Sequence, residues 1–179
     1  VSSWLHGTLR SNMNRYNPAR VFDAMNKRAT LFGFEALTTA ACVSYELTRG
    51  RLRYCYAGHP PVLLCRSGST CWEPMQLPEG ADRKCANVPF GVSDSACYDL
   101  AELVVAPGDR LFIYSDGVVE APNENHELYG AERLRDTLNE NVRLPLAALA
   151  QNLIDTLGRY CGTNNYTHDD VTFVALEVQ

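Results

Sequence analysis

The sequence predicts an α+β fold, with helices and antiparallel strands segregated along the chain. Helix-like and strand-like patterns arrive in blocks, a helix pair, a run of short strands, a second helix pair and a last strand, rather than alternating singly. Within the central run, short turn sequences join residues 37–47 to 51–57 and 62–65 to 71–77, as in hairpins.

The elements follow in order. Residues 1–14 place Val1, Leu5, Leu9 and Met13 on one helical stripe, and residues 18–32, opened by Asn17-Pro18, repeat the pattern with Val21, Met25, Arg28 or Ala29, and Phe32. Residues 37–47 and 51–57 flank Thr48-Arg49-Gly50 and read as a hairpin. In its second strand Leu52, Tyr54 and Tyr56 alternate with Arg51, Arg53 and Cys55, so one face should be buried. Residues 62–65 and 71–77 predict another hairpin around Ser67-Gly68-Ser69. Residues 78–95 lose periodicity, collect Pro, Gly and Asp, and read as a surface loop or flap. Pattern resumes with a strand over 97–105, a turn at Pro107-Gly108-Asp109 in which Asp109 is a turn residue, and a core strand over 110–115. Helices are expected over 130–140 and 144–160, the second striped by Leu146, Leu149, Ala150, Leu153, Leu157 and Tyr160. A strand over 171–178 follows.

With 179 residues and 46% hydrophobic content, the chain can bury roughly 70% of its unfolded surface around one core. A single domain over residues 1–179 is therefore expected. The net charge of -5 and the lack of a basic cluster argue against nucleic acid or an anionic membrane as partner. No apolar run reaches the roughly 20 residues of a membrane span, and the first residues lack the pattern of a secretory signal. The seven cysteines (Cys42, Cys55, Cys65, Cys71, Cys85, Cys97 and Cys161) form no Cys-x-x-Cys pair. Cys42, Cys55, Cys65 and Cys97 fall in or beside strand-like runs, as core residues of a protein in a reducing cytoplasm do.

Candidate chemistry lies in carboxylates at strand ends. Asp116-Gly117 follows the apolar run Leu111-Phe112-Ile113-Tyr114, and Asp169-Asp170 precedes Val171-Thr172-Phe173-Val174. A carboxylate beside a core is costly unless a positive charge neutralises it, so the two positions point to a shared hard divalent cation. Each is also a common turn sequence. Against a plain hairpin turn, the residues after Asp116-Gly117 show no period-2 pattern. A calcium loop of the EF-hand type is excluded by the lack of Asp or Asn at alternate positions before Gly117.

Further landmarks occur in a fixed order: Thr38-Thr39, Gly50-Arg51-Leu52-Arg53-Tyr54, Ala57-Gly58-His59-Pro60-Pro61, Pro89-Phe90-Gly91-Val92, Pro107-Gly108-Asp109, Tyr114-Ser115-Asp116-Gly117-Val118-Val119-Glu120-Ala121, Tyr129-Gly130 and His168-Asp169-Asp170-Val171-Thr172. In this order the chain resembles the metal-dependent PPM (protein phosphatase 2C-type) serine/threonine phosphatases, in the SpoIIE-like branch of bacterial partner-switching pathways. The resemblance implies a β-sandwich flanked by helix pairs, with two Mn²⁺ or Mg²⁺ ions at one end. It implies Asp116 and Asp169 as metal ligands, with Asp170 and Gly117 supporting them from beside the site.

Phosphoester hydrolysis requires positive charge on the phosphoryl oxygens and a hydroxide available at neutral pH, and metals roughly 3.5 to 4 Å apart supply both. A metal-activated water is then the nucleophile and no side chain is needed as one. Ser115 reads as a small residue in a tight turn or, beside a metal ligand, as one that orients water; His59 reads as a turn-fixing hydrogen-bond partner, and His168 as a partner of a ligand carboxylate or a solvent-facing residue, neither histidine with a catalytic assignment.

The family pattern begins with two strands carrying an early Gly-Asp pair and an Asp shortly before Gly-His-Gly; this sequence begins at the following helix. Before residue 37 it offers only Asp23 and Glu35, in no matching context. An N-terminally truncated domain is expected, with exposed sheet edges that favour strand association or a homodimer. The leading functional expectation is a phosphatase acting on phosphoserine or phosphothreonine of a regulatory protein of the anti-sigma-factor-antagonist type. The alternative is a degenerate, non-catalytic domain that binds a regulatory protein. The partner follows from family analogy.

Overall fold

The computed structural model describes residues 17–78, 87–162 and 169–179. The helix expected over 1–14, most of the first half of the 78–95 stretch, Cys85 and His168 lie outside the described residues. The chain divides into two compact units, Val1–His59 with Gln76–Val105, and Pro60–Met75 with Ala106–Gln179.

In the first unit, helix α1 (Pro18–Ala29) starts where Asn17 accepts hydrogen bonds from the amides of Ala19 and Arg20, with Pro18 in the first turn. It ends earlier than expected. Residues Thr30–Ala36 tighten into a 3-10 turn broken at Gly33, whose φ of 62° is left-handed. Strands β1 (Ala40–Glu46), β2 (Arg51–Ala57) and, later in the chain, β5 (Ala101–Val104) form an antiparallel sheet in the order β1-β2-β5. The α1 stripe of Val21, Phe22, Met25 and Ala29 packs with Cys55 and Ala57 of β2 in one apolar cluster.

Two expectations are corrected in this unit. The 97–105 strand shrinks to β5 because polar groups before it bind Asn87 instead: Asn87 N–H donates to the Cys97 carbonyl at 2.8 Å, and the Asp99 N–H donates to Asn87 Oδ1 at 2.8 Å. The second half of the 78–95 stretch is a loop without helix or strand, as expected, but it is pinned to the core rather than free as a flap. Phe90 is fully buried, meets Phe22 edge-on at 4.9 Å, and exchanges backbone hydrogen bonds with Thr38. Asn26, itself buried, donates to the Ser93 carbonyl at 2.8 Å and accepts from the Gly91 N–H at 3.1 Å. One aromatic anchor in a Pro- and Gly-rich run leaves no periodic signal, yet it fixes the segment.

The second unit contains strands β3 (Leu63–Cys65), β4 (Glu73–Pro74), β6 (Arg110–Tyr114) and β7 (Phe173–Glu177), antiparallel in the order β4-β3-β6-β7. Between β6 and β7 come α2 (Asp116–Val119), α3 (Gly130–Glu140) and α4 (Leu146–Cys161). Phe112 and Tyr114 on β6 pair with Ala175 and Phe173 on β7. This face packs with Leu134 and Leu138 of α3 and Leu149, Leu153 and Leu157 of α4 in one core. Leu153 is fully buried, a position where truncation to Ala costs about 2–5 kcal/mol. Gly162 closes α4 with a left-handed φ of 69°.

These helices and antiparallel sheets form the α+β fold the sequence predicts. β7 is an edge strand with Val174 and Leu176 turned outward, 47% and 45% exposed. The opposite edge, β4, is short and carries Pro74, which blunts it.

Candidate metal centre

Asp116 lies where β6 gives way to α2. Strand β6 ends at Tyr114, Ser115 keeps extended backbone at φ -75° and ψ 159°, and Asp116 is the first residue of the four-residue helix. The helix forms here because Val118 can then enter the core, where it is fully buried. The lack of a period-2 pattern after Asp116 thus reflects a helical turn. Asp116 is half-buried, and its Oδ1 accepts the Gly117 N–H at 3.1 Å.

Asp169 and Asp170 precede β7 and are exposed. Asp169 Oδ1 accepts the Asp170 N–H at 2.7 Å, which orders the turn into the strand. Beyond the end of the β6–β7 ladder, Ser115 joins the two segments. Its N–H donates to the Thr172 carbonyl at 2.9 Å, and its hydroxyl oxygen accepts the Thr172 N–H at 3.1 Å. The Ser115 hydroxyl faces the carbonyls of Asp170 at 3.0 Å and Thr172 at 3.3 Å.

Gly117 completes the junction through its lack of a side chain. A Cβ at this position would lie 2.5 Å from the Asp170 carbonyl oxygen and 3.5 Å from the Asp169 Cβ. The structure therefore brings Asp116, Gly117, Asp169 and Asp170 to one end of the β6–β7 pair. Among the described residues no group of three or more His, Cys, Asp or Glu side chains is arranged to hold a metal. The donors present are carboxylate oxygens, the type that Mg²⁺ and Mn²⁺ prefer. They fit part of a coordination set.

Ser115 is the residue that sequence reading undervalued. Its place directly before Asp-Gly at a strand end was the available signal, but its partners on the distant 170–172 segment are invisible in one dimension. Asp109 does occupy a turn, and it is also buried, accepting the amides of Ser67 at 2.8 Å and Ala106 at 3.0 Å and the Arg66 guanidinium at 2.8 Å. Burial would raise its pKa, but these three donors outweigh it and hold the carboxyl below the ordinary value. His59 follows β2 and is half-buried.

The family model of stage II sporulation protein E (SpoIIE) matches residues 1–179. The chain belongs to the SpoIIE family. It is similar to the RsbU and RsbW domains of Rv1364c from Mycobacterium tuberculosis, at 25% identity and a TM-score of 0.74, covering 98% of this chain and 46% of that one. It also matches the manganese-presoaked phosphatase domain of the cell fate determinant SpoIIE from Bacillus subtilis, at 17% identity and a TM-score of 0.61, covering 98% of this chain and 72% of that one. Protein IcfG of Synechocystis sp. is 27% identical over 133 residues, 73% of this chain and 19% of that protein. The chain thus spans a fifth to a half of the length of its first relatives. Its SpoIIE-family neighbours are phosphatase domains of the PP2C type, and the α+β fold with antiparallel sheets is theirs.

Proposed function

We propose that this chain is part of a single metal-dependent phosphatase domain that removes phosphate from a phosphoserine or phosphothreonine of a regulatory protein. The observation that carries this reading is the meeting of the Asp116 and Asp169 segments at one end of the β6–β7 pair, fastened by Ser115 and fitted by Gly117. Membership in the SpoIIE family and the manganese-soaked relative support it. The pairing of RsbU with RsbW in the Rv1364c structure supports a partner-switching regulator as substrate.

In this reading Asp116 and Asp169 hold a Mn²⁺ or Mg²⁺ ion, with the remaining ligands supplied from outside the described residues. Asp170 and Gly117 set the backbone that aims them. When bound, such ions supply positive charge for the phosphoryl oxygens and lower the pKa of a water nucleophile. Among the described residues no helix is long and apolar enough to cross a membrane, and a cytoplasmic setting completes the proposal. The open edge of β7, with Val174 and Leu176 outward, is the surface for strand association.

The test is Mn²⁺ binding followed by electron paramagnetic resonance, alongside hydrolysis of a phosphoserine peptide, for the wild type and for Asp116→Asn and Asp169→Asn. The expected result is weak Mn²⁺ binding and slow, chelator-sensitive hydrolysis, both lost in either variant. Binding and turnover untouched by both substitutions would overturn the assignment. Mn²⁺ binding that needs both carboxylates, without turnover under any metal condition, would favour the binding-module alternative.

A further inference from the structure

A cleft lies in the same unit as Asp116, at the opposite end of the sheet. It measures about 370 Å³, within the ~300–1,000 Å³ range of small-ligand sites. Its lining includes Arg66, Ser67 and Thr70 after β3, Arg110 at the start of β6, Arg143 between α3 and α4, and Glu177 on β7. Asp116 lies six residues along the chain from Arg110, about 20 Å at the rise of an extended strand. The cleft is therefore separate from the candidate metal centre.

The charge here runs against that of the whole protein. The chain carries -5 overall, yet three arginines and one glutamate line the cleft. Two of the arginines are held in place by the fold. Arg66 is fixed by the buried Asp109 at 2.8 Å. Arg110 donates from Nε to Glu177 at 2.7 Å and from Nη1 to the carbonyls of Val142 and Leu144 at 2.8 and 2.9 Å. These bonds occupy both protons of Nη1, and Nη2 has no hydrogen-bond partner among the described residues. Arg143 is exposed and has no ion pair among the described residues. Pre-positioned guanidiniums lose little conformational entropy on binding, and their remaining N–H groups, Nη2 in Arg110, give charge-assisted hydrogen bonds to phosphate oxygens.

We propose that the cleft bounded by Arg66, Arg110 and Arg143 binds the phosphate group of a small phosphorylated molecule. Glu177 and Asp109 offset the charges of Arg110 and Arg66 while fixing their positions, so the unmatched positive charge of the cleft, among the described residues, is that of Arg143. The hydroxyls of Ser67 and Thr70 add neutral donors beside the guanidiniums. The volume beyond a single phosphate leaves room for the organic part of a nucleotide-sized ligand.

Calorimetric titration of the 179-residue chain with inorganic phosphate and with AMP, in chelator to remove any metal contribution, tests this site. Saturable binding of both is expected, weakened by about tenfold or more in Arg143→Glu, which removes a charge-assisted donor and adds repulsion. Asp116→Asn should bind both ligands as the wild type does, which separates this site from the candidate metal centre. Equal affinity for the two ligands assigns the site to the phosphate group alone, and tighter AMP binding assigns the remaining volume to the organic part. Arg143 is exposed, so its substitution leaves the fold intact; Arg66→Lys, which keeps the charge beside Asp109, should bind more weakly through loss of the two-pronged geometry. Absence of binding by either ligand, or affinity unchanged in Arg143→Glu, would overturn the proposal.

Discussion

The hydroxyl of Ser115 lies 3.0 Å from the carbonyl oxygen of Asp170. This contact, with the Ser115 N–H donated to the Thr172 carbonyl and the Thr172 N–H donated to the Ser115 hydroxyl, extends the β6–β7 pairing past the last ladder residues and joins the segments that carry Asp116 and Asp169. Ser115→Ala should preserve the strand pair, which keeps its ladder bonds, while loosening the segment that carries Asp169. The expected outcome is a stability loss of about 1 kcal/mol in urea unfolding, with a larger proportional fall in Mn²⁺ affinity. Equal, proportionate losses in both would mark Ser115 as purely structural.

Gly117→Ala provides a steric test of the same junction. Its Cβ would press on the Asp170 carbonyl, and overpacking of this kind costs about 1–3 kcal/mol. Thermal unfolding should report the loss, and Mn²⁺ binding should weaken as α2 and the 169–172 segment move apart. Unchanged stability and affinity would mean that the approach is looser than the structure has it.

Replacing Asp116 or Asp169 with Asn keeps the side-chain size and removes a charge. Without a cation, two nearby carboxylates repel by up to a few kcal/mol at an effective dielectric near 20. In metal-free buffer the variants should therefore unfold at the same temperature as the wild type or slightly higher, while in the intact domain turnover with saturating Mn²⁺ falls by several orders of magnitude. His59→Ala should act on stability with turnover per folded molecule unchanged. The opposite pattern, full activity in Asp116→Asn or abolished activity in stable His59→Ala, would exchange their roles.

Asp109 supplies a pH dependence with a definite sign. Its carboxyl is more acidic in the folded chain than in the unfolded one, because the Ser67 and Ala106 amides and Arg66 outweigh the effect of burial. Its contribution is thus fully present above the unfolded carboxylate value of about 4 and is lost as pH falls through the lower folded value. Asp109→Asn should cost about 1–3 kcal/mol at neutral pH by leaving buried donors poorly paired. Its denaturant midpoint should also fall less steeply than that of the wild type below pH ~4.

The cysteines differ enough for chemical mapping. Cys71 is exposed, whereas Cys55 and Cys65 are buried. Burial, assisted by Cys42 and Asp23, pushes the Cys55 thiol well above its ordinary value and so starves it of reactive thiolate. In an iodoacetamide time course read by mass spectrometry, Cys71 should be modified first among the described cysteines, with Cys55 and Cys65 modified only after denaturation. Early labelling of Cys55 would show that α1 opens readily from its sheet.

Much of this was legible in the sequence because the relevant signals are local. The alternation of Leu52, Tyr54 and Tyr56 reads out as a buried face, although Cys55 on the opposite face is buried too because α1 covers it; the leucine stripe of α4 reads out as the wall of a core, and Asn17-Pro18 as a helix start. The two acidic segments could be singled out because each abuts an apolar strand. What one dimension hides is pairing between distant positions. Nothing near Ser115 announces Thr172, nothing near Phe90 announces Phe22, and the arginines of the cleft come from three separate segments. Asp116 does lie at a strand end, and what the pattern hides is the single helical turn, held by the burial of Val118, that begins there.

The position of β7 in the chain has a kinetic consequence. β6 pairs with a strand that is reached only after the three helices α2, α3 and α4, so Arg110 meets Glu177 and Ser115 meets Thr172 across long stretches of chain. Such non-local pairings carry a loop-closure cost and form late. The hairpin of β3 with β4 and the leucine core of α3 and α4 can gather first, while Asp169 arrives with the closing strand. During synthesis the Asp116 carboxylate therefore waits without its counterpart until β7 has been made, and any activity that needs both appears only when the sheet of this unit is complete.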